Sequence, residues 1–184
     1  MLEPIFTPNV QQAVFRDLLK AQSFPGLPVA LTPTLHGVCA HRAVLAALLD
    51  GEVSLADPFN LLSADGDWPF LEARRAAPEQ ADFILARGDA AMNLKPRLGT
   101  LAEPEKSATL VLTVARLTDV AGLALRVSGP GVKRPRELRI QKLDDQWLRL
   151  RKDWNASFPM GVDFILAGED GIAALPRTTH VEVI

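Results

Sequence analysis

Near the carboxyl end, Pro176-Arg177-Thr178-Thr179-His180-Val181-Glu182-Val183 sets a guanidinium, two hydroxyls, an imidazole and a carboxylate among strand-forming residues. Arg177 brings five donors, the threonines bring hydroxyls and Glu182 brings an acceptor. A terminal segment frays unless it is tied down, so such a string implies specific hydrogen bonds within the fold or to a partner. Arg177 and His180 are also suited to holding an oxyanion, and that role stays open beside the structural one.

A second group is Gly129-Pro130-Gly131 with Lys133, Arg134 and Arg136 just beyond. Its backbone can approach a phosphate while three cations add charge. A plain turn explains Gly-Pro-Gly equally well. His36, Cys39 and His41 form a third group with zinc-binding residue types. On a helix His36 and Cys39 share a face, but His41 lies five residues on and points away. With no second cluster to complete a site, the expectation is a small buried cysteine beside two ordinary histidines, and no metal.

Other chemistries lack their residues. There is no Gly-x-x-x-x-Gly-Lys-Ser/Thr loop and no Gly-x-Gly-x-x-Gly. There is no Gly-x-Ser-x-Gly elbow, and no nucleophile motif surrounds Cys39. The six lysines, at 20, 95, 106, 133, 142 and 152, show no context for a pyridoxal phosphate Schiff base, so no cofactor is expected.

Charge is distributed unevenly. Residues 126–154 hold nine Lys and Arg against four Asp and Glu, a net +5 in a chain of net −2. This island fits either an acidic or phosphorylated partner or a solvated helix face.

The elements that must carry these groups follow from periodicity. Val10, Val14, Leu18 and Ala21 predict a helix from about residue 8, ended at Ser23-Phe24-Pro25-Gly26. A helix over 37–50 and a strand over 52–56 come next, then a helix capped by Asp67 and running to Ala76. Strands are expected at 29–31, 81–86, 107–116, 123–127, 162–167, 172–175 and 181–183. Asp144 is placed to cap a helix reaching Trp154. Alternating strands and helices predict an α/β fold, a three-layer α/β/α sandwich with a mixed sheet, in one domain over 1–184.

Composition agrees. With 48% hydrophobic and 23% charged residues the chain reads as a globular protein, not a disordered one. Tyr is absent, so Leu, Val, Ile and Ala must build the core. A single cysteine cannot form an internal disulfide. The amino-terminal residues lack a signal-peptide pattern and no apolar run is long enough to span a membrane, so the expected address is the cytoplasm. Nucleic acid and membrane are not expected partners.

The tail Pro-Arg-Thr-Thr-His-Val-Glu-Val resembles the ending of the phosphonate-metabolism family PhnH, the H subunit of the bacterial carbon–phosphorus lyase machinery. Phe158-Pro159-Met160-Gly161-Val162-Asp163 resembles that family's turn into a strand. Phe15-Arg16, Leu18-Leu19-Lys20-Ala21 and Pro25-Gly26 match its first helix and turn. Gly99-Thr100, Glu103-Pro104-Glu105, Ala108-Thr109-Leu110 and Leu125 to Gly131 follow in order, so the similarity spans nearly the whole chain. It is weaker over 36–41 and 133–152. The resemblance implies a fold like the large domain of pyridoxal-phosphate-dependent transferases, without the cofactor. It also implies a homodimer and a complex with G, I and J subunits. That machinery joins ATP and methylphosphonate into alpha-D-ribose 1-methylphosphonate 5-triphosphate and later breaks the carbon–phosphorus bond. Glycosyl transfer is usually placed on the I subunit, so the resemblance transfers no catalytic residue to this chain. The leading expectation is a non-catalytic scaffolding subunit. The alternative is a contributor to a shared site binding nucleotide triphosphate or phosphonate.

Overall fold

The computed structural model describes residues 3–31, 38–118, 120–169 and 171–184. Its helices are α1 (Pro8–Ser23), α2 (Ala40–Leu48), α3 (Trp68–Leu71) and α4 (Gln146–Trp154). Its strands are β1 (Ser54–Ala56), β2 (Arg74–Arg75), β3 (Phe83–Arg87), β4 (Thr109–Thr113) and β5 (Arg116–Thr118), then β6 (Leu123–Ser128), β7 (Arg136–Gln141), β8 (Asp163–Gly168), β9 (Gly171–Leu175) and β10 (His180–Val183).

Two sheets form. The larger has the order β2-β1-β3-β4-β8-β9, parallel except for β9, which runs antiparallel to β8. The smaller is antiparallel, in the order β10-β6-β7-β5. The strands of the large sheet are apolar on both faces, as a doubly covered sheet requires. Leu85, Val111, Ile165, Ile172 and Ala174 meet the buried faces of α1 and α2. Ile84, Leu110, Leu112, Phe164 and Leu166 point the other way. There they pack against Leu125, Val127, Leu138 and Ile140 of the small sheet and Trp147 of α4.

The fold is therefore α/β with a mixed sheet, as expected, but the third layer is not all helical. The small sheet and α4 share it. The expected strand over 107–116 divides for this reason. The Val114 N–H bonds Ala167 O at 2.9 Å, in the large sheet, and the Ala115 N–H bonds Gln141 O at 2.9 Å, in the small one. The chain changes sheets between these two residues.

Other differences are local. The expected helix from Asp67 to Ala76 lasts one turn, because Glu72 turns left-handed at φ 57° and Arg74 pairs with β1. The Asp67 carboxylate does not cap it. It accepts from Arg42 Nε at 2.5 Å and from the Ser63 N–H at 2.8 Å. The strand expected at 29–31 reduces to one bridge, Val29 with Ile172. The expected helix at 37–50 is α2, and residues 32–37 lie outside the described set. The N-cap of α4 is Asp145, one residue beyond the expected Asp144, and its side chain makes no capping hydrogen bond. Asp144 instead closes the turn before the helix, accepting the Gln146 N–H on Oδ1 at 3.0 Å. No helix among the described residues is long and apolar enough to cross a membrane.

Candidate functional site

The tail begins where β9 ends. Thr179 N–H bonds Pro176 O at 2.8 Å, closing a turn that delivers β10 to β6. That turn aims Arg177 back at the start of β8. Its backbone N–H donates to Asp163 Oδ1 at 2.6 Å, and Nη2 donates to Asp163 Oδ2 at 2.6 Å. Nη2 also meets the Ser107 hydroxyl, and Nη1 donates to Pro104 O at 2.8 Å. A longer contact reaches Pro159 O at 3.4 Å. One side chain thus ties the approach to β4, the turn before β8 and the tail itself. The Arg177 and Asp163 side chains are only 16% and 21% exposed, so the pair is shielded from most solvent screening.

Beside this clasp, α4 and the tail enclose a groove of about 770 Å³. Its lining includes Leu148, Phe158, Val181, Arg151, Lys152 and His180, together with the carboxylates of Asp145, which is paired with Arg149, and Glu182, which faces Arg126. Arg151 is 5% exposed and lies on the inner face of α4, in line with Trp147 and Leu148. Its Nη2 reaches three carbonyls, Pro176 O at 2.5 Å, Thr179 O at 3.2 Å and Leu175 O at 3.3 Å. Its Nε is sealed from solvent without a partner, and so is the Thr179 hydroxyl. Among the described residues no carboxylate forms an ion pair with it. Asp163 is the charge that favours its protonation, and both Asp163 oxygens are engaged by Arg177. Burial pulls the Arg151 guanidinium down to about 10, which still leaves it charged at neutral pH.

The structure separates the other residues that the sequence groups together. His180 is exposed on β10, at the rim of the groove. Thr178 is exposed as well, and Glu182 reaches only Arg126, at 4.0 Å. Of the polar tail, Arg177 alone is fully engaged by its side chain. Gly129 and Gly131 lie in a turn with φ 119° and 79°. A Cβ on Gly131 would come within 2.6 Å of Ser23 O, so this glycine lets the turn pack on the end of α1. Lys133, Arg134 and Arg136 edge a separate depression there, and Arg136 Nη1 donates to Pro25 O at 2.9 Å. The carboxyl end of a helix is the less favourable end for an anion.

His36 lies outside the described residues. Cys39 is exposed, a correction to the expected buried cysteine: it is the N-cap of α2, with extended backbone at φ −64° and ψ 129°, and stands outside the helical stripe that buries Ala40, Ala43 and Val44. His41 is half-buried, and burial pushes its imidazole below the ordinary histidine range. No group of three His, Cys, Asp or Glu among the described residues is placed to hold a metal ion. All six lysines are exposed.

Sequence reasoning missed Arg151. The signal was present, since Trp147, Leu148, Arg151 and Trp154 recur at helical spacing and put an arginine on an apolar stripe.

Comparison with known proteins fits this chain along nearly its full length. The sequence profile of the family described as bacterial phosphonate metabolism protein (PhnH) matches residues 6–182. The chain is 42% identical to the putative C-P lyase subunit protein HtxG of Stutzerimonas stutzeri, over 94% of this chain and 86% of that protein. It is 29% identical to the alpha-D-ribose 1-methylphosphonate 5-triphosphate synthase subunit PhnH of Rhizobium meliloti (strain 1021), over 98% of this chain and 92% of that protein. A profile match of this extent, with such a relative beside it, makes the chain a member of the PhnH family of bacterial phosphonate metabolism proteins.

Proposed function

We propose that this chain is a scaffolding subunit of a carbon–phosphorus lyase core complex and carries none of its catalytic groups. Its relatives are named as subunits, which motivates the complex. The observation that carries the scaffolding role is the Arg177 clasp. The strongest anion-binding group of the tail spends its donors inside the fold. The proposed partners are the G, I and J subunits, in the cytoplasm, with no metal or pyridoxal phosphate held by this chain. A likeness to the large domain of pyridoxal-phosphate-dependent transferases belongs to the same proposal and is supported by the mostly parallel six-stranded sheet.

A homodimer is part of this reading. Phe15 and Leu19 are 43% and 51% exposed one helical turn apart on α1, an apolar pair suited to a partner surface. Co-expression of a tagged chain with the other subunits tests the whole reading. A stable complex that recovers all four chains is the expected result. Failure to recover any of them would overturn it.

The second reading, a contribution to a shared site that binds nucleotide triphosphate or phosphonate, is favoured by the groove beside α4. It would recruit His180 at the rim, and Lys133, Arg134 and Arg136 with Gly129 and Gly131 if the basic turn also meets phosphate.

A further inference from the structure

We propose that the groove between α4 and β10 binds a phosphate-type oxyanion, a phosphate ester or a phosphonate, with Arg151 at its floor and Lys152 and His180 at its rim. This rests on the second reading above, which it deepens by naming Arg151 and Lys152, and it does not depend on the scaffolding role. A buried charge is costly unless it is paired. Arg151 is buried and charged, and its protein partners are neutral carbonyls that all crowd onto Nη2. Nε is sealed from solvent without a partner, so Nη1, which makes no hydrogen bond within the described residues, is the guanidinium donor left for a ligand.

The remaining donors select the shape of the anion. A planar carboxylate is matched by two parallel N–H groups of one guanidinium. Arg151 cannot offer both Nη groups in that way, because carbonyls hold Nη2. A tetrahedral oxyanion sends oxygens in several directions and suits donors from different side chains. Lys152 supplies a second cation with no ion-pair partner among the described residues, unlike Arg149, which is held by Asp145 at 2.5 Å. The exposed Thr178 hydroxyl and His180 ring stand on the opposite wall. Leu148, Phe158 and Val181 leave apolar room for an organic substituent.

The test is calorimetric titration of the full chain with inorganic phosphate, methylphosphonate and ATP in separate arms. The wild type should bind at least one of them saturably, with Kd below about 1 mM. The arm that binds most tightly identifies the carrier of the oxyanion. Arg151→Met and Lys152→Glu should each weaken that binding roughly tenfold or more. Lys152 is exposed, so its variant should melt like the wild type and keeps the test sound even if Arg151→Met does not fold. No saturation by any probe, or equal affinity in the wild type and Lys152→Glu, would overturn the proposal. Either result leaves the subunit reading standing, because assembly is measured separately.

Discussion

Arg177 grips Asp163 at two points, with its backbone N–H on Oδ1 and its Nη2 on Oδ2, both at 2.6 Å. The two residues flank the β8–β9 hairpin, so the pair closes it at the base. Its removal should therefore be felt throughout the sheet. Arg177→Ala should cost about 2–3 kcal/mol in urea unfolding, since it strands a half-shielded carboxylate and frees several carbonyls. Asp163→Asn should cost less. The double mutant should show a coupling of about 1–2 kcal/mol, and strictly additive losses would mean that the pair does not act as a unit.

The pH dependence of stability should expose His41. Its ordinary value is 6.5, and burial lowers it in the folded chain, with Arg42 adding to the shift and Asp67 and Asp57 opposing it. The unfolded chain then binds more protons once the pH falls below that ordinary value. Stability is complete above it and is lost as the pH drops through the lowered folded value. His41→Gln should flatten the decline that begins as the pH falls below the ordinary histidine value. Identical melting curves for wild type and variant across that window would contradict the assignment.

How far the sequence could be read depends on where the signal is local. Leu110, Val111 and Leu112 read as strand because both faces of β4 are covered by core. Where that strand ends was not legible. The switch at Val114 and Ala115 depends on two carbonyls, Ala167 O and Gln141 O, far away in sequence. The alternation in β7 is masked by its charges, which suit a solvated helix face equally well. Glu137 and Arg139 alternate with Leu138 and Ile140, the period of a half-buried strand. The tail was legible as polar and tied down. Which groups tie it was not, since Asp163, Ser107 and Pro104 meet Arg177 only through the fold.

Trp147 offers a test of the third layer. Its ring is fully buried and its Nε1 donates to Arg87 O at 2.9 Å, joining α4 to the end of β3. Trp147→Phe keeps an aromatic ring but loses volume and leaves that carbonyl unpaired. It should cost about 1–3 kcal/mol by denaturant titration, without changing secondary structure by circular dichroism. A loss within experimental error would show that α4 is only loosely docked.

The dimer makes a separate prediction. Light scattering should give twice the 20.0 kDa of one chain. Phe15→Glu combined with Leu19→Glu should give a monomer that keeps the wild-type circular dichroism spectrum, because both side chains are exposed within one chain. A wild-type monomer across a wide concentration range would sink the dimer, and an unchanged mass in the variant would move its interface off α1.

The central claim is that this subunit supports the complex without supplying its chemistry. It is tested most directly by the turnover of the reconstituted complex, as formation of alpha-D-ribose 1-methylphosphonate 5-triphosphate, with Arg177→Ala or His180→Ala in this chain. Turnover is normalised to the amount of assembled complex, and the melting temperature of each variant is measured alongside. Arg177→Ala should melt about 5–10 °C lower and assemble less well, yet retain near-normal turnover per assembled complex. His180→Ala should match the wild type in both respects. Wild-type melting and normal assembly with abolished turnover, in either variant, would contradict the account.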